Sequence, residues 1–143
     1  MLSIVMPTKN RSAFLSRALK FYEMQNCQYD IIIGDSSTGE HLEKNISNVQ
    51  ASSLAITHQT EESQTDSLGG WQTDEFLKNL PDQISTPYIC FLADDDLFVI
   101  NNIGLGIDWL ENHSEYSFVN GKAIIFSHEE IYPNLRLRDF SFY

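Results

Sequence analysis

The strongest constraint on the fold is the regular alternation of short apolar runs with amphipathic helical segments. Apolar, branched runs near residues 2–7, 29–35, 52–58 and 88–93 have the length and composition of buried strands. Residues 10–25, between the first two runs, repeat apolar side chains at the spacing of a helix face. Strands that alternate with helices predict an α/β fold with a mostly parallel central sheet covered on both faces.

Further patterns in the sequence complete the predicted order of helices and strands. The patterns predict further helices over residues 39–50, 71–80 and 102–113. Asn120-Gly121 lies between two apolar runs in "YSFVNGKAIIF", which is the strongest short-range signal for a β-hairpin. A chain of 143 residues is long enough for one domain with a real core, so we expect residues 1–143 to form a single domain.

Composition and charge exclude several classes of protein. Hydrophobic residues make up 42 % of the chain, which is not the composition of a disordered protein. The formal net charge of −11 disfavours a non-specific grip on nucleic acid or on an anionic membrane. No apolar run is long enough to span a bilayer, and the first residues lack the basic region of a signal peptide. We therefore expect a cytoplasmic protein whose cysteines, Cys27 and Cys90, are reduced.

Polar residues follow each predicted strand at its carboxyl end, which is where parallel sheets bind their ligands. These strand-end groups are Pro7 to Arg11, Asp35 to Ser37, the loop that holds Asp66, and Asp94 to Asp96. The carboxyl ends of parallel strands share one edge of the sheet. We therefore expect these groups to lie together and to form the ligand site.

Three consecutive aspartates, Asp94, Asp95 and Asp96, end the fourth predicted strand. In a continuing strand Asp94 and Asp96 would point to the same side, where neighbouring carboxylates raise one another's pKa. A divalent cation relieves that repulsion, and Mg²⁺ and Mn²⁺ prefer oxygen ligands together with substrate phosphates. The pattern therefore favours a metal–phosphate site over an acidic helix N-cap, for which one aspartate would be enough.

Three segments resemble family 2 glycosyltransferases of the GT-A fold: "LSIVMPTKNRSAFLSRALKFYEMQ", "YDIIIGDSS" and "YICFLADDD". The resemblance covers residues 1–100 and implies a Rossmann-like GT-A sandwich, of which this chain holds the nucleotide-sugar-binding half. It also implies a nucleotide-sugar donor, usually a UDP-sugar, and a glycan or lipid-linked acceptor whose hydroxyl receives the sugar.

The same resemblance assigns nucleotide-binding roles to individual residues. Pro7 and Thr8 would lie at the edge of the nucleotide pocket, with Arg11 near the base or the phosphates. Asp35 would accept hydrogen bonds from the nucleobase, usually uracil. Asp66 falls in a loop where the family often has another nucleotide contact.

The resemblance further implies how the aspartates would act. Asp94 and Asp96 match the two outer positions of the family's Asp-x-Asp metal motif, whose last aspartate normally binds the cation. Asp94 and Asp95 would reach the ribose or the water ligands of the metal. The cation, Mn²⁺ or Mg²⁺, would act as a Lewis acid that neutralises the diphosphate leaving group.

The segment after the aspartates departs from the family pattern. Glu129, Glu130 and Asp139 are the only acidic residues after the predicted hairpin, and none lies in the family's general-base motif. The sequence ends at Tyr143, so we expect a fold truncated after the half that carries the metal motif. The aromatic C-terminal segment would cover a sheet edge or pair with another copy in a homo-oligomer.

Three hypotheses for the function therefore stay open. The first is a metal-dependent inverting glycosyltransferase with catalytic residues that the sequence does not identify. The second is a nucleotide-sugar-binding module without catalytic activity, because it lacks the acceptor half and the general base. The third is a non-enzymatic α/β interaction domain whose acidic sheet edge has no ligand.

Overall fold

The computed structural model describes residues 1–60, 76, 78–121, 124–125 and 138–139. Helices and strands follow one another as β1 (Leu2–Thr8), α1 (Ser12–Met24), β2 (Asp30–Asp35), α2 (Gly39–Ala51), β3 (Ile56–Thr60), β4 (Tyr88–Phe91), α3 (Asn101–Glu111), β5 (Ile124–Ile125) and β6 (Arg138–Asp139). The chain divides into two compact units, Met1–Ile100 and Asn101–Tyr143. Among the described helices, none is long and apolar enough to cross a membrane.

The first unit is built on a four-stranded sheet whose strands lie in the order β3-β2-β1-β4. Every pairing in this sheet is parallel, with β1 between β2 and β4. The strand "LSIVMP" and the strand that leads to the aspartates are therefore neighbours. The prediction of an α/β fold with a parallel sheet is confirmed, whereas the GT-A assignment stays a prediction.

The register of β1 against β2 explains how the sheet is covered on both faces. Paired residues of parallel neighbours share a face, so alternate pairs form two separate sets of core side chains. Fully buried side chains on one face come from Ile4, Met6, Ile31 and Ile33. The other face forms an apolar cluster of Val5, Ile32, Phe76 and Leu80, with Ile84 packed against it.

The order of the strands creates a switch point beside β1. The chain moves from β1 to β2 to β3 in one direction and then returns to place β4 on the other side of β1. α1 and α2 contact each other, and right-handed crossovers put both helices on the same face of the sheet. Ligands of open α/β sheets bind outside the carboxyl ends of the strands where this reversal occurs, which here is between β1 and β4.

Two predicted strands differ from the observed ones at their ends. The strand predicted over residues 52–58 begins only at Ile56 and continues to Thr60. The amide of Ser52 instead donates to the carbonyl of Val49 and so completes the end of α2. The carbonyls in the last turn of a helix need hydrogen-bond donors. Because Ser52 supplies one of them, it belongs to the helix end, and the next strand begins later.

The strand predicted over residues 88–93 ends at Phe91, and it is not buried. Ile89 is 44 % exposed and Phe91 is 55 % exposed. Among the described strands β4 pairs only with β1, so it lies at an edge of the sheet. The prediction of a fully buried fourth strand is therefore wrong, because an apolar run does not by itself distinguish a central strand from an edge.

The predicted hairpin at Asn120-Gly121 is also wrong. Residues 116–121 form no strand, and Ile124–Ile125 pairs antiparallel with Arg138–Asp139 instead. A two-residue turn of the predicted type needs positive φ at both central residues. Neither Asn120 nor Gly121 belongs to the described residues that have positive φ, so the local signal did not determine the turn.

The remaining predictions fall partly outside the described residues. Most of the helix predicted over residues 71–80 lies outside the described residues, although Leu80–Asp82 is described as a short 3₁₀ helix. Asp66, Glu129 and Glu130 also lie outside the described residues. Homo-oligomer formation by the C-terminal segment and a single domain over the whole chain stay predictions.

Candidate functional site

The loops that follow β1 and β2 are joined by backbone and side-chain hydrogen bonds. The amide of Ser36 donates to the carbonyl of Thr8 at 3.0 Å. Asn10 joins the two loops. Its backbone amide donates to Ser37 Oγ at 2.7 Å, and its side-chain Oδ1 accepts from the backbone amide of Thr38 at 3.0 Å. Asn10 has φ of 54°, a left-handed conformation that asparagine adopts more readily than most residues. Asn10 therefore fixes one loop against the other at the carboxyl edge.

Asp35, the last residue of β2, is enclosed by donors of the protein. Its Oδ1 accepts from the amide of Ser37 at 2.9 Å, and its Oδ2 accepts from Asn45 Nδ2 at 2.9 Å. His58 Nε2 lies 3.0 Å from the same Oδ2. The Asp35 side chain has no exposed surface, whereas the His58 side chain is 11 % exposed.

The environment of Asp35 favours its ionised form. Burial opposes ionisation, but the hydrogen bonds that the carboxylate accepts, above all the one with His58, hold the pKa of Asp35 below its ordinary value. A carboxylate offers about four lone-pair positions, and these three contacts take up most of them. Asp35 therefore organises the strand end, and its predicted contact with a nucleobase stays a prediction.

Asp94 lies at the switch point, where it is joined to β1 and to the loop that follows. It is 2 % exposed, and its Oδ2 accepts from Thr8 Oγ1 at 2.7 Å. Its Oδ1 lies 3.0 Å from Nη1 of Arg11. Burial raises the pKa of Asp94, although the Thr8 hydrogen bond and the Arg11 charge both act to lower it. A raised pKa was expected here, but burial contributes more to it than the neighbouring aspartate does.

Arg11 holds the second aspartate as well as the first. Its Nη2 donates to Asp95 Oδ2 at 2.6 Å, and this hydrogen bond lowers the pKa of Asp95. The same hydrogen bond raises the pKa of Arg11, so the two directions agree. The guanidinium also lies 4.4 Å from the centre of the Phe14 ring, a cation–π contact. One positive side chain is thus shared by two of the three aspartates.

Asp96 is separated from Asp94 by a turn of the backbone. The amide of Asp96 donates to the carbonyl of Ala93 at 3.1 Å, which closes a turn just after β4. Asp94 is buried, whereas Asp96 is exposed and makes no ion pair with another described residue. The expectation that Asp94 and Asp96 share one side of a continuing strand is therefore wrong, because the strand ends at Phe91.

Side chains of α1 hold the segment that follows the aspartates. Tyr22 Oη donates to the carbonyl of Asp96 at 3.0 Å. Gln25 donates to the carbonyl of Phe98 at 2.9 Å and accepts from the amide of Ile100 at 2.9 Å. Sequence reasoning placed Tyr22 only on the core face of a helix. Its hydroxyl group was the one signal that it could also bind a polar partner.

Asn45 and His58 are the other residues that sequence reasoning missed. Asn45 is the buried residue of α2, a helix whose remaining described side chains are at least partly exposed. Its Nδ2 also donates to Ser37 Oγ at 3.2 Å, while its buried Oδ1 has no partner among the described residues. The available signal was an amide at a position where the helical pattern faces the sheet.

The aspartates offer suitable ligands for a hard cation without forming a closed cage. Among the described residues, no group of three or more His, Cys, Asp or Glu side chains is arranged around a metal position. Mg²⁺ typically binds one or two carboxylates and completes its shell with water and substrate phosphates. Exposed Asp96 and half-exposed Asp95 fit that partial set of ligands, although Arg11 pairs with Asp95.

The described edge brings most of the predicted site residues together. Thr8, Arg11, Asp94 and Asp95 form one directly bonded group. Asp35 belongs to a second group, which the Asn10–Ser37 hydrogen bond ties to the first loop. Pro7 is half-buried within β1, where it pairs with Gly34 of β2.

Comparison with known proteins assigns no family to this chain. No protein-family model matches it, and no curated protein matches it. Its function has to be inferred from the residues and the geometry of the sheet edge.

Proposed function

We propose that this chain binds a nucleotide-sugar with a divalent cation at the carboxyl edge of its sheet, as the donor-binding part of a glycosyltransferase. The observation that carries the proposal is the position of Asp94 at the switch point between β1 and β4. Ligands of open α/β sheets bind at that point. A buried carboxylate, an arginine and the carboxylate of Asp95 meet there, and exposed Asp96 follows in the same turn. Carboxylates and an arginine are groups that bind a metal–diphosphate.

Each residue at this edge of the sheet has its own role in the proposed binding. Asp95 and Asp96 would hold the cation, Mn²⁺ or Mg²⁺, and buried Asp94 would orient them through the same turn. When bound, the cation supplies Lewis-acid stabilisation of the diphosphate leaving group. Arg11 is the cationic side chain that pairs with phosphate oxygens. The choice of uridine as the nucleoside rests on the family resemblance alone.

The proposal has two parts: binding of the nucleotide-sugar donor, and transfer of its sugar to an acceptor. Transfer to an acceptor hydroxyl needs a general base, and the acidic residues Glu129 and Glu130 lie outside the described residues. The alternative, a nucleotide-sugar-binding module without catalytic activity, uses the same edge. The two are distinguished by release of UDP from UDP-sugars in the presence of an acceptor.

Calorimetric titration of UDP with and without Mn²⁺ tests the binding proposal. We expect Mn²⁺ to strengthen UDP binding roughly tenfold or more, because each ligand completes the other's site. The double variant Asp95→Asn/Asp96→Asn should abolish this coupling while the protein stays folded, because both side chains are exposed. Asp30→Asn is the matched control, because Asp30 is exposed at the amino end of β2. Equal UDP affinities with and without Mn²⁺ in the wild type would contradict the proposal.

A further inference from the structure

Arg11 takes up the carboxylate oxygens that a metal–diphosphate group would use. Its two terminal nitrogens lie 3.0 Å from Asp94 Oδ1 and 2.6 Å from Asp95 Oδ2. This double ion pair offsets part of the repulsion between the adjacent aspartates, although Asp95 still acts to raise the pKa of Asp94. The aspartates are therefore stable without a metal, and the cation that stabilises them belongs to the protein itself.

A guanidinium and a divalent cation exclude each other at these carboxylates. Both are cations, and at separations of a few ångströms they repel each other even at the effective dielectric constant of a protein surface. The Asp95 oxygen that accepts the hydrogen bond from Arg11 belongs to one of the two carboxylates proposed to hold the metal. A metal gains the full charge of the aspartates only after Arg11 has moved away.

We infer that Arg11 is a resident counter-cation that leaves the aspartates when a divalent cation binds, and that the phosphates of the ligand receive it. The inference rests on the proposed function for the identity of the ligand. It goes further because it states which internal contact must break. It also makes Arg11 the residue that sets how strongly metal and nucleotide depend on each other.

The surroundings of Arg11 allow this movement. The side chain is 36 % exposed, and Arg11 precedes α1 without a side-chain hydrogen bond that caps the helix. Asp94 keeps its 2.7 Å hydrogen bond from Thr8 when Arg11 leaves, so the buried carboxylate does not lose every partner. Phe14 offers the guanidinium a surface on which to pivot, since its ring already contacts Arg11 at 4.4 Å.

Exchange of Arg11 supplies a physical cause for positive coupling. The diphosphate attracts Arg11 and so frees the aspartates for the metal, while the metal displaces Arg11 and so frees it for the diphosphate. Linkage requires the two effects on affinity to be equal. Without Arg11, the metal should bind more tightly in the absence of nucleotide than it does to the wild type. The nucleotide should then raise metal affinity only through its direct contact with the metal.

The test measures Mn²⁺ binding from the resonance of free Mn²⁺, first with the protein alone and then with UDP. For Arg11→Gln we expect Mn²⁺ alone to bind about tenfold more tightly than to the wild type, because a competing positive charge is gone. UDP alone should bind more weakly, and the coupling factor between Mn²⁺ and UDP should fall towards one. Circular dichroism of each variant confirms that it is folded.

Two further variants separate the charge of Arg11 from other effects. Arg17→Gln removes the same charge from α1, the helix that Arg11 precedes, and Arg17 also stacks on Phe14 at 4.7 Å. It should change Mn²⁺ affinity by less than about twofold, since Arg17 makes no ion pair with a described aspartate. Arg11→Lys keeps the charge but loses the two-pronged contact with both aspartates, so its Mn²⁺ affinity should lie between those of the wild type and Arg11→Gln.

The outcomes distinguish this inference from the proposed function. If Arg11→Gln binds Mn²⁺ no more tightly than a wild type that still couples Mn²⁺ to UDP, the exchange is wrong and the proposed function stands. If Arg11→Gln gains Mn²⁺ affinity while the wild type shows no coupling, the competition between Arg11 and the metal holds, whereas the transfer of Arg11 to phosphate and the nucleotide proposal both fail. If Arg11→Lys behaves like Arg11→Gln, the charge of Arg11 is not the cause.

Discussion

Two aspartates lie at the same edge of the sheet, Asp35 at the end of β2 and Asp94 just after β4, yet they are held in opposite ways. Asp35 accepts only from groups of the protein that stay in place: an amide, an asparagine and a histidine. Asp94 accepts one hydrogen bond from Thr8 and otherwise depends on the charge of Arg11. The pKa of Asp35 is lowered and the pKa of Asp94 is raised.

The difference lies in how many protein donors each carboxylate has. A buried carboxylate with several fixed donors gains little from a further partner. A buried carboxylate that pairs with one mobile cation can exchange that cation for another. Asp35 is therefore held by several donors of the protein, whereas the exchange that we infer concerns the contacts of Arg11 with Asp94 and Asp95.

The largest expected effect is that of removing the Asp35 carboxylate. Asp35→Ala should lower the free energy of unfolding by about 3 kcal/mol, because it leaves buried donors of Ser37 and Asn45 without an acceptor. Urea denaturation measures this loss. Asp30→Ala, at the exposed start of the same strand, should change stability by less than about 0.5 kcal/mol. If Asp35→Ala lowered the free energy of unfolding as little as Asp30→Ala does, Asp35 would not be the structural support that we describe.

A smaller effect is expected at the link between β1 and the aspartates. Thr8→Val keeps the shape of the side chain but removes the donor to Asp94, so the free energy of unfolding should fall by about 1–2 kcal/mol. Thr57→Val, at an exposed position of β3, is the matched control and should stay within about 0.5 kcal/mol of the wild type. Equal stabilities of the two variants would show that the hydrogen bond contributes nothing.

The smallest expected effect is a pair of opposite pH dependences. The pKa of Asp35 lies below its ordinary value of 3.8, so its ionisation contributes stability above pH 3.8 that is lost as the pH falls through the folded pKa. The pKa of Asp94 lies above 3.8, so its protonated form contributes stability that is lost as the pH rises from 3.8 through the folded pKa.

Urea denaturation at several pH values, with Asp35→Asn and Asp94→Asn as references, checks these signs. The stability difference between the wild type and Asp35→Asn should increase as the pH rises. The difference between the wild type and Asp94→Asn should decrease as the pH rises. Slopes of the same sign would show that the two aspartates share one kind of environment.

Local pattern in the sequence determined the architecture of the first unit. Apolar runs and helical periodicity predicted the parallel sheet, and the rule for strand ends predicted that Thr8, Asp35 and Asp94 would meet at one edge. These features depend on short stretches of backbone and on the period of their side chains, so they can be read without knowing distant partners. The Asn120-Gly121 signal is equally local, but it was not sufficient to form a turn.

Only the tertiary structure decided what each aspartate does. Asp94 and Arg11 are far apart in the chain, and so are Asp35 and His58, yet each pair is in contact. Burial, hydrogen bonding and pKa depend on such partners rather than on the neighbouring residues in sequence. The sequence therefore predicted where charge would gather, while the packing of the chain determined which carboxylate is enclosed and which one Arg11 neutralises.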